Sequence, residues 1–454
     1  MRTNDLFIVE GHAVREPRHK ANGRVATETA RTRIEIDVST GMIARVVPLD
    51  APENAEAGAA SPREPTPSAA SPAGLRAAHR APDLVLGDDA IIFPGLIDAH
   101  VHAREDITAR DNYKEDFASA GEAAVRGGVT AFVEMPNNPE PPRDDASYRA
   151  KRELVRKSKA DVLLYAIVGP GTEPLSFPAP YKVYMAQSIG DFCFADEESL
   201  RAVLPRYRDQ WVAFHAEDPE ILRRSAGAAD HGSRRPPEAE VQAIRVALAL
   251  CEELHVHPHI CHLSTAGGLD AIREARARGL SVTTEVTPHH LFWDVENAKR
   301  FAHPSWLQCN PPIRTRADRL ALLEALKDGE IDFLASDHAP HRIDEKEKGI
   351  SGVTHLDTFG AFCFWLFDQG LTLEDLRRVA CENPGRFLGR YLPHRYGRLE
   401  AGYAGSLTIL ERKPVTIQRS DLATRAGWSP FEGETFAGRV LHTIVRGELA
   451  YSRR

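Results

Sequence analysis

The sequence predicts an α/β protein, a (β/α)8 TIM-type barrel carrying a smaller composite β-sandwich formed from both termini. Three observations predict it. Eight short apolar runs recur through the middle of the chain, helical patterns separate many of them, and period-two segments occupy both ends. With 454 residues and 42% hydrophobic content, the chain is long enough for a large core and too long for one small domain.

From the N-terminus, residues 31–48 alternate Ile34, Ile36 and Val38, pass a Ser-Thr-Gly turn, and resume with Ile43 and Val46, the pattern of a β-hairpin. Residues 51–82 hold Ala, Pro, Ser and Glu with almost no large apolar side chains. Such a stretch cannot bury enough surface to offset its ordering entropy and reads as a disordered surface loop. The apolar runs then fall at 91–99, 129–135, 162–168, 181–185, 211–216, 256–263, 281–287 and 331–336. The clearest helical pattern starts at Glu238, with Val241, Ile244, Leu248 and Cys251 at helical spacing. Eight strands alternating with helices fit a closed barrel better than a doubly wound open sheet, because no glycine-rich phosphate loop follows an early strand. Near the C-terminus, Ser406–Leu410 and Val440–Tyr451 again read as strands, with Gly447 at a turn. The expected division is 1–88 for the first part of the β-domain, 89–392 for the barrel and 393–454 for the second part.

The net charge of −8 argues against a nucleic-acid or anionic-membrane partner and requires that any anionic substrate be held by locally placed cations. Met1 to Glu10 shows no basic-then-apolar leader, and no apolar run approaches membrane-spanning length, so a soluble, cytoplasmic protein is expected. The six cysteines show no paired spacing and read as reduced, mostly buried thiols.

Chemistry-bearing residues gather at the ends of the predicted strands. His100 and His102 close the first run; residues two apart in a strand point the same way, so two imidazoles face one site. His-x-His alone is weak evidence, but Lys182 lies in the fourth run, His215 ends the fifth, His262 the sixth and Asp337 the eighth. Together they bring four histidines, one aspartate and one lysine to one rim of the barrel, the composition of a metal site. A lysine ammonium cannot ligate a cation, but a desolvated neutral amine can add carbon dioxide, and the resulting carbamate can bridge two metals.

These residues, with Phe93 to Arg104, Gly127-Gly128-Val129-Thr130 leading to Met135-Pro136-Asn137, Glu285 to Leu291, Asn310 to Arg314 and Asp337 to His341, resemble the amidohydrolase superfamily and in particular its dihydroorotase branch. The likeness runs from about Phe93 to Leu392, and the tail Gly427 to Gly433 is similar to one dihydroorotase subgroup. The resemblance implies two zinc ions per chain: His100 and His102 on the more buried one, His215 and His262 on the other, carboxylated Lys182 bridging both, and Asp337 completing the buried site and acting as catalytic acid/base. It implies that Arg104 and Asn137 hold a substrate carboxylate while Asn310 and His341 contact the ring. A planar guanidinium suits a carboxylate independently of any family.

The sequence also departs from the family. Arg104 is followed by Glu105-Asp106-Ile107 rather than Glu-Pro-Gly, Asn138 stands where threonine is common, residues 342–355 lack the usual wording, and 51–82 have no familiar counterpart. The implied activity is reversible, zinc-dependent hydrolysis of dihydroorotate to N-carbamoyl-aspartate in pyrimidine synthesis, with a small anionic substrate as partner and a homodimer or other homo-oligomer as assembly. The alternatives are an enzyme opening hydantoin, dihydropyrimidine or allantoin rings, whose substrates lack the carboxylate, and a catalytically silent barrel serving as a scaffold, which would have lost metal ligands.

Overall fold

Eight parallel strands close into the barrel of the computed structural model, which describes residues 6–15, 18–19, 25–26, 29–49, 80–186 and 192–453. In order they are Leu96–Val101, Val129–Glu134, Asp161–Leu164 continued by Ala166–Ile167, Tyr181–Tyr184, Trp211–His215, His257–Ile260, Thr283–Val286 and Phe333–Leu334, each paired in parallel with its neighbour. The third strand is interrupted at Tyr165, whose amide donates to the Glu134 carbonyl at 3.0 Å. The eighth closes on the first through a parallel bridge between Val101 and His338, reinforced by His102 N donating to His338 O at 2.8 Å. Alternation decides the layers: Ile97, Ala131, Val133, Leu163, Ala213 and Phe333 fill the barrel, while Phe132, Val183, Phe214 and Ile260 pack outward beneath the helices.

The helices start where the sequence supplies a cap. Asp116 accepts from Ser119 N ahead of Phe117–Arg126, and Thr315 from Asp318 N ahead of Arg316–Lys327. In Pro237–Leu254 the predicted stripe is buried at Ile244, Leu248 and Cys251 and only partly at Val241.

The first predicted run does not remain one strand. Ala90–Pro94 belongs to the terminal sheet, and the chain crosses into the barrel at Gly95, where a Cβ would lie 2.0 Å from Thr130 Oγ1. That sheet has eight strands, seven of them in one path, Glu448–Ser452, Arg439–Val445, Leu407–Glu411, Ala90–Pro94, Leu6–Val14, Thr29–Asp37 and Met42–Pro48, with Leu84–Val85 off it on Leu6–Val14. The predicted hairpin is present, pairing Ile36 with Ile43 and Ile34 with Val46. Gly447, at φ 84°, makes the C-terminal turn in a conformation that costs glycine little. Leu407 and Ile409 face the sheet's own core, whereas Thr408 between them turns to the barrel, accepting from Leu96 N at 3.0 Å and donating to Gly128 O at 2.5 Å. Of the apolar-poor stretch 51–82, residues 51–79 lie outside the described residues. All six cysteines are free, five of them buried, and among the described residues no helix is long and apolar enough to cross a membrane.

Candidate active site

The strand ends bring the predicted ligands together. His100 Nε2 and His102 Nε2 lie 3.2 and 3.1 Å from the same oxygen, Asp337 Oδ1. Across the mouth, His215 Nδ1 is 2.9 Å from His262 Nε2, and the His100 and His262 rings are 5.3 Å apart between centroids. Lys182 is 0% exposed; its Nζ contacts Cys261 Sγ at 2.8 Å and sits 5.2 Å from the Tyr184 ring centroid. Among the described residues, His100, His262 and Asp337 each offer one ligand atom within 4.8 Å of the others, and so do His100, Cys261 and Glu285.

This donor set fits a metal centre. Burial pushes the His102 and His262 pKa values well below normal and that of His100 down to about 4, which leaves neutral rings with lone pairs to share. Burial pushes Asp337 well above the usual carboxylate range, so its carboxylate is in need of positive charge. His102 Nδ1 and His262 Nδ1 are buried without hydrogen-bond partners. A third group, His289, His290 and Cys309, also lies within 4.8 Å. There, however, the His290 ring and the Cys309 thiol both reach Pro311 O, at 3.1 and 3.2 Å, so two of its three members are already satisfied.

The backbone carries local strain at the site. His262, Asp337 and Arg104 have φ of 35°, 49° and 61°, in the left-handed region that costs a non-glycine residue on the order of 1 kcal/mol or more. Surrounding bonds hold two of these turns: His262 N donates to Glu285 Oε1 at 3.0 Å, and Ser336 N to Asp98 Oδ1 at 2.9 Å beside Asp337.

Several functional neighbours were missed by sequence reasoning. Glu285 receives His100 Nδ1 in a short contact and His259 Nε2 at 3.0 Å. Burial alone would raise its pKa, yet these rings hold it well below normal, so it orients the His100 ring as an anion. Glu217 pairs with His215 Nε2 at 2.8 Å; against its burial, Arg235 and His215 hold it down to about 2. The period-two spacing His215-x-Glu217 is the signal that could have found it. Asn138, the departure from the family's threonine, accepts a short hydrogen bond from buried Lys151, which also pairs with buried Glu134 at 2.6 Å.

The residues expected to bind substrate lie at the same end of the barrel. Arg104 is 3% exposed, and one of its terminal nitrogens is 3.1 Å from His341 Nε2. Its Nε is buried without a partner, and among the described residues no carboxylate pairs with it. Burial lowers the Arg104 pKa and, with Arg104 beside it, pushes His341 far below normal, so His341 is a neutral acceptor. Asn137 follows the second strand, half-buried. Asn310 follows Cys309, and its Oδ1 is buried with no hydrogen-bond partner.

Comparison with known proteins gives a consistent picture. The model of the Amidohydrolase family matches residues 91–450. The chain is 35% identical over 364 residues to a dihydroorotase of Pyrococcus furiosus, covering 79% of this chain and 81% of that protein. It is 34% identical to one of Methanothermobacter thermautotrophicus, covering 78% and 83%. Among solved structures, the L-hydantoinase of Arthrobacter aurescens superposes with a TM-score of 0.80 at 24% identity, covering 98% of this chain and 96% of that one. A D-hydantoinase of Thermus sp. does so with 0.77 at 20%, covering 98% and 95%. At such identities the structural likeness speaks to the fold.

Proposed function

The chain belongs to the amidohydrolase family, and from that premise we propose that it is a dihydroorotase, opening (S)-dihydroorotate to N-carbamoyl-L-aspartate and closing it in reverse for pyrimidine synthesis. As a hydrolase of cyclic amides it must choose among rings, and Arg104 carries the choice. A guanidinium buried to 3% exposure, with one nitrogen unpartnered and no carboxylate paired to it among the described residues, is a costly arrangement that an anionic ligand would relieve. Hydantoin, dihydrouracil and allantoin bring no carboxylate to it. The hydantoinase neighbours support the alternative only through fold. Against a silent scaffold, all six residues expected as ligands are present, at the strand ends of one barrel mouth.

His100, His102, Lys182, His215, His262 and Asp337 would hold two zinc ions, with Lys182 contributing oxygen ligands as its carbamate. Lys182 supports this by its burial: an ammonium there has no carboxylate in ion-pair range among the described residues, and carbamate formation would turn that unpaired cation into an anion that bound metal would neutralise. Bound zinc supplies Lewis acidity at the ring carbonyl and makes water nucleophilic near neutral pH. The protein's own groups do the rest. Arg104 and Asn137 grip the substrate carboxylate, and Asn310 and His341 orient the ring. Asp337, whose burial raises its proton affinity, takes the proton released as water attacks and returns it to the departing ring nitrogen. Glu285 and Glu217 hold the His100 and His215 rings in place.

Turnover of dihydroorotate, hydantoin, dihydrouracil and allantoin by the purified, zinc-loaded protein tests this reading. We expect dihydroorotate to have the highest kcat/KM. A preference for any of the neutral rings would replace it with the hydantoinase-like alternative.

A further inference from the structure

Lys346 lies in a run of charged residues, Asp344 to Lys348, yet its side chain is 0% exposed. Its Nζ donates to three main-chain carbonyls: Gln308 O at 2.9 Å, Ile350 O at 2.6 Å and Gly352 O at 2.7 Å. An ammonium has three N–H groups, so all its donors are used. It also sits 5.6 Å from the Trp428 ring centroid. No carboxylate pairs with it among the described residues; three carbonyl dipoles take the place of water.

The carbonyls come from segments that matter to the site. Gln308 stands two residues before Asn310. Ile350 and Gly352 end the loop that begins at His341, and Gly352 N returns a bond to Gln308 O at 2.9 Å. Gly352, at φ 135°, is packed so closely that a Cβ there would lie 2.9 Å from His341 Cδ2 and 2.5 Å from Ala339 O. Trp428, beneath the ammonium, donates from Nε1 to His341 O at 2.8 Å. On the outer side the loop is held by Glu345, which meets Tyr113 Oη at 2.8 Å and Lys114 at 3.2 Å near the surface, where ion pairs contribute little.

We propose that Lys346 is a positioning residue: its ammonium draws the Gln308–Asn310 segment and the 341–352 loop together, and thereby sets Asn310 and His341 for ring binding. Without that charge the Ile350 and Gly352 carbonyl oxygens face a dry space with no donor, and only the bonds of Gln308 to Gly352 N, Gly349 O and Ser351 Oγ still join the two segments, which are then held less closely. A compact ammonium on a flexible stem meets this geometry; a planar guanidinium does not. The roles of Asn310 and His341 rest on the dihydroorotase reading, whereas the clamp stands without it.

The test is Lys346→Met in the full-length, zinc-loaded protein, with Lys346→Gln beside it. Methionine keeps the length and cannot donate, while glutamine keeps two N–H groups. For Lys346→Met we expect KM for dihydroorotate to rise by about tenfold or more with kcat changed much less, as loss of ground-state positioning demands. Zinc content should be unchanged, and amide exchange should be faster at Gly352 and around residue 310. Lys346→Gln should show the same pattern, weaker, and decides the matter if the methionine variant does not fold. Wild-type KM and wild-type exchange in these variants would overturn the proposal, as would a fall in kcat accompanied by lost zinc. If wild type itself fails to turn over dihydroorotate, the functional reading falls and exchange alone judges the clamp.

Discussion

Replacing Arg104 by methionine removes the charge and the planar donor group while keeping an unbranched chain. Both residues are β-unbranched L-residues, so the left-handed backbone at φ 61° costs them the same, and the perturbation is confined to the side chain. Two effects oppose each other in the free enzyme. His341 Nε2 loses its partner at 3.1 Å, worth about 1 kcal/mol. A buried cation without a counter-charge also disappears, which lowers the desolvation cost of folding. Stability should therefore stay level or rise. With substrate the balance reverses: truncating one partner of a shielded guanidinium–carboxylate pair costs roughly 2–5 kcal/mol, or about 30- to 4000-fold in kcat/KM at 1.4 kcal/mol per decade. The assay compares kcat/KM for dihydroorotate and dihydrouracil in wild type and Arg104→Met, with zinc content and Tm measured on the same preparations. We expect a large loss on dihydroorotate, a small one on dihydrouracil, retained zinc and an unchanged or higher Tm. Equal losses on both rings with zinc intact would refute the assignment of Arg104 to the carboxylate.

Lys182→Ala should lose most activity and part of its metal, and a short carboxylic acid in solution should restore some of both by occupying the bridge; elemental analysis and activity on the same sample check this. Lys151→Met leaves buried Glu134 unpaired and should cost about 3–5 kcal/mol in denaturant unfolding. In the terminal sheet, Glu35 accepts from Arg33 Nε at 2.8 Å and Arg45 at 3.1 Å, and against its burial these partners lower its pKa. A lowered carboxylate pKa stabilises above the unfolded value and is lost as pH falls through the folded one. Glu35→Gln should thus be destabilised at pH 7, with the gap to wild type narrowing as melts are repeated below the ordinary glutamate value of 4.5.

The layout of the barrel was legible because strand ends in this fold converge, so His100, His102, His215, His262 and Asp337 could be grouped from their places in apolar runs alone. The terminal hairpins were legible from period-two alternation. The break at Gly95 was not: an apolar run records burial, not which sheet buries it, and only the approach of Thr130 to Gly95 shows where the chain crosses. Leu6–Val14 was also missed, since its apolar residues are interrupted by Glu10, Gly11 and His12. The partners behind the ligands were hidden for another reason. His100 and Glu285 stand 185 residues apart, and nothing local in Thr283–Val286 says that its acid faces a histidine. Lys346 is the sharpest case, since Lys348 two residues on is exposed in the same charged run.

The central claim, that this metal-dependent barrel interconverts a carboxylated ring and its open form, is tested most directly in the ring-closing direction. N-carbamoyl-L-aspartate is incubated with zinc-loaded protein and dihydroorotate is followed as it forms, with chelated protein as control. We predict metal-dependent cyclisation that reaches the same equilibrium mixture as hydrolysis started from dihydroorotate. Zinc-loaded protein that opens hydantoin or dihydrouracil yet forms no dihydroorotate from carbamoyl-aspartate would contradict it.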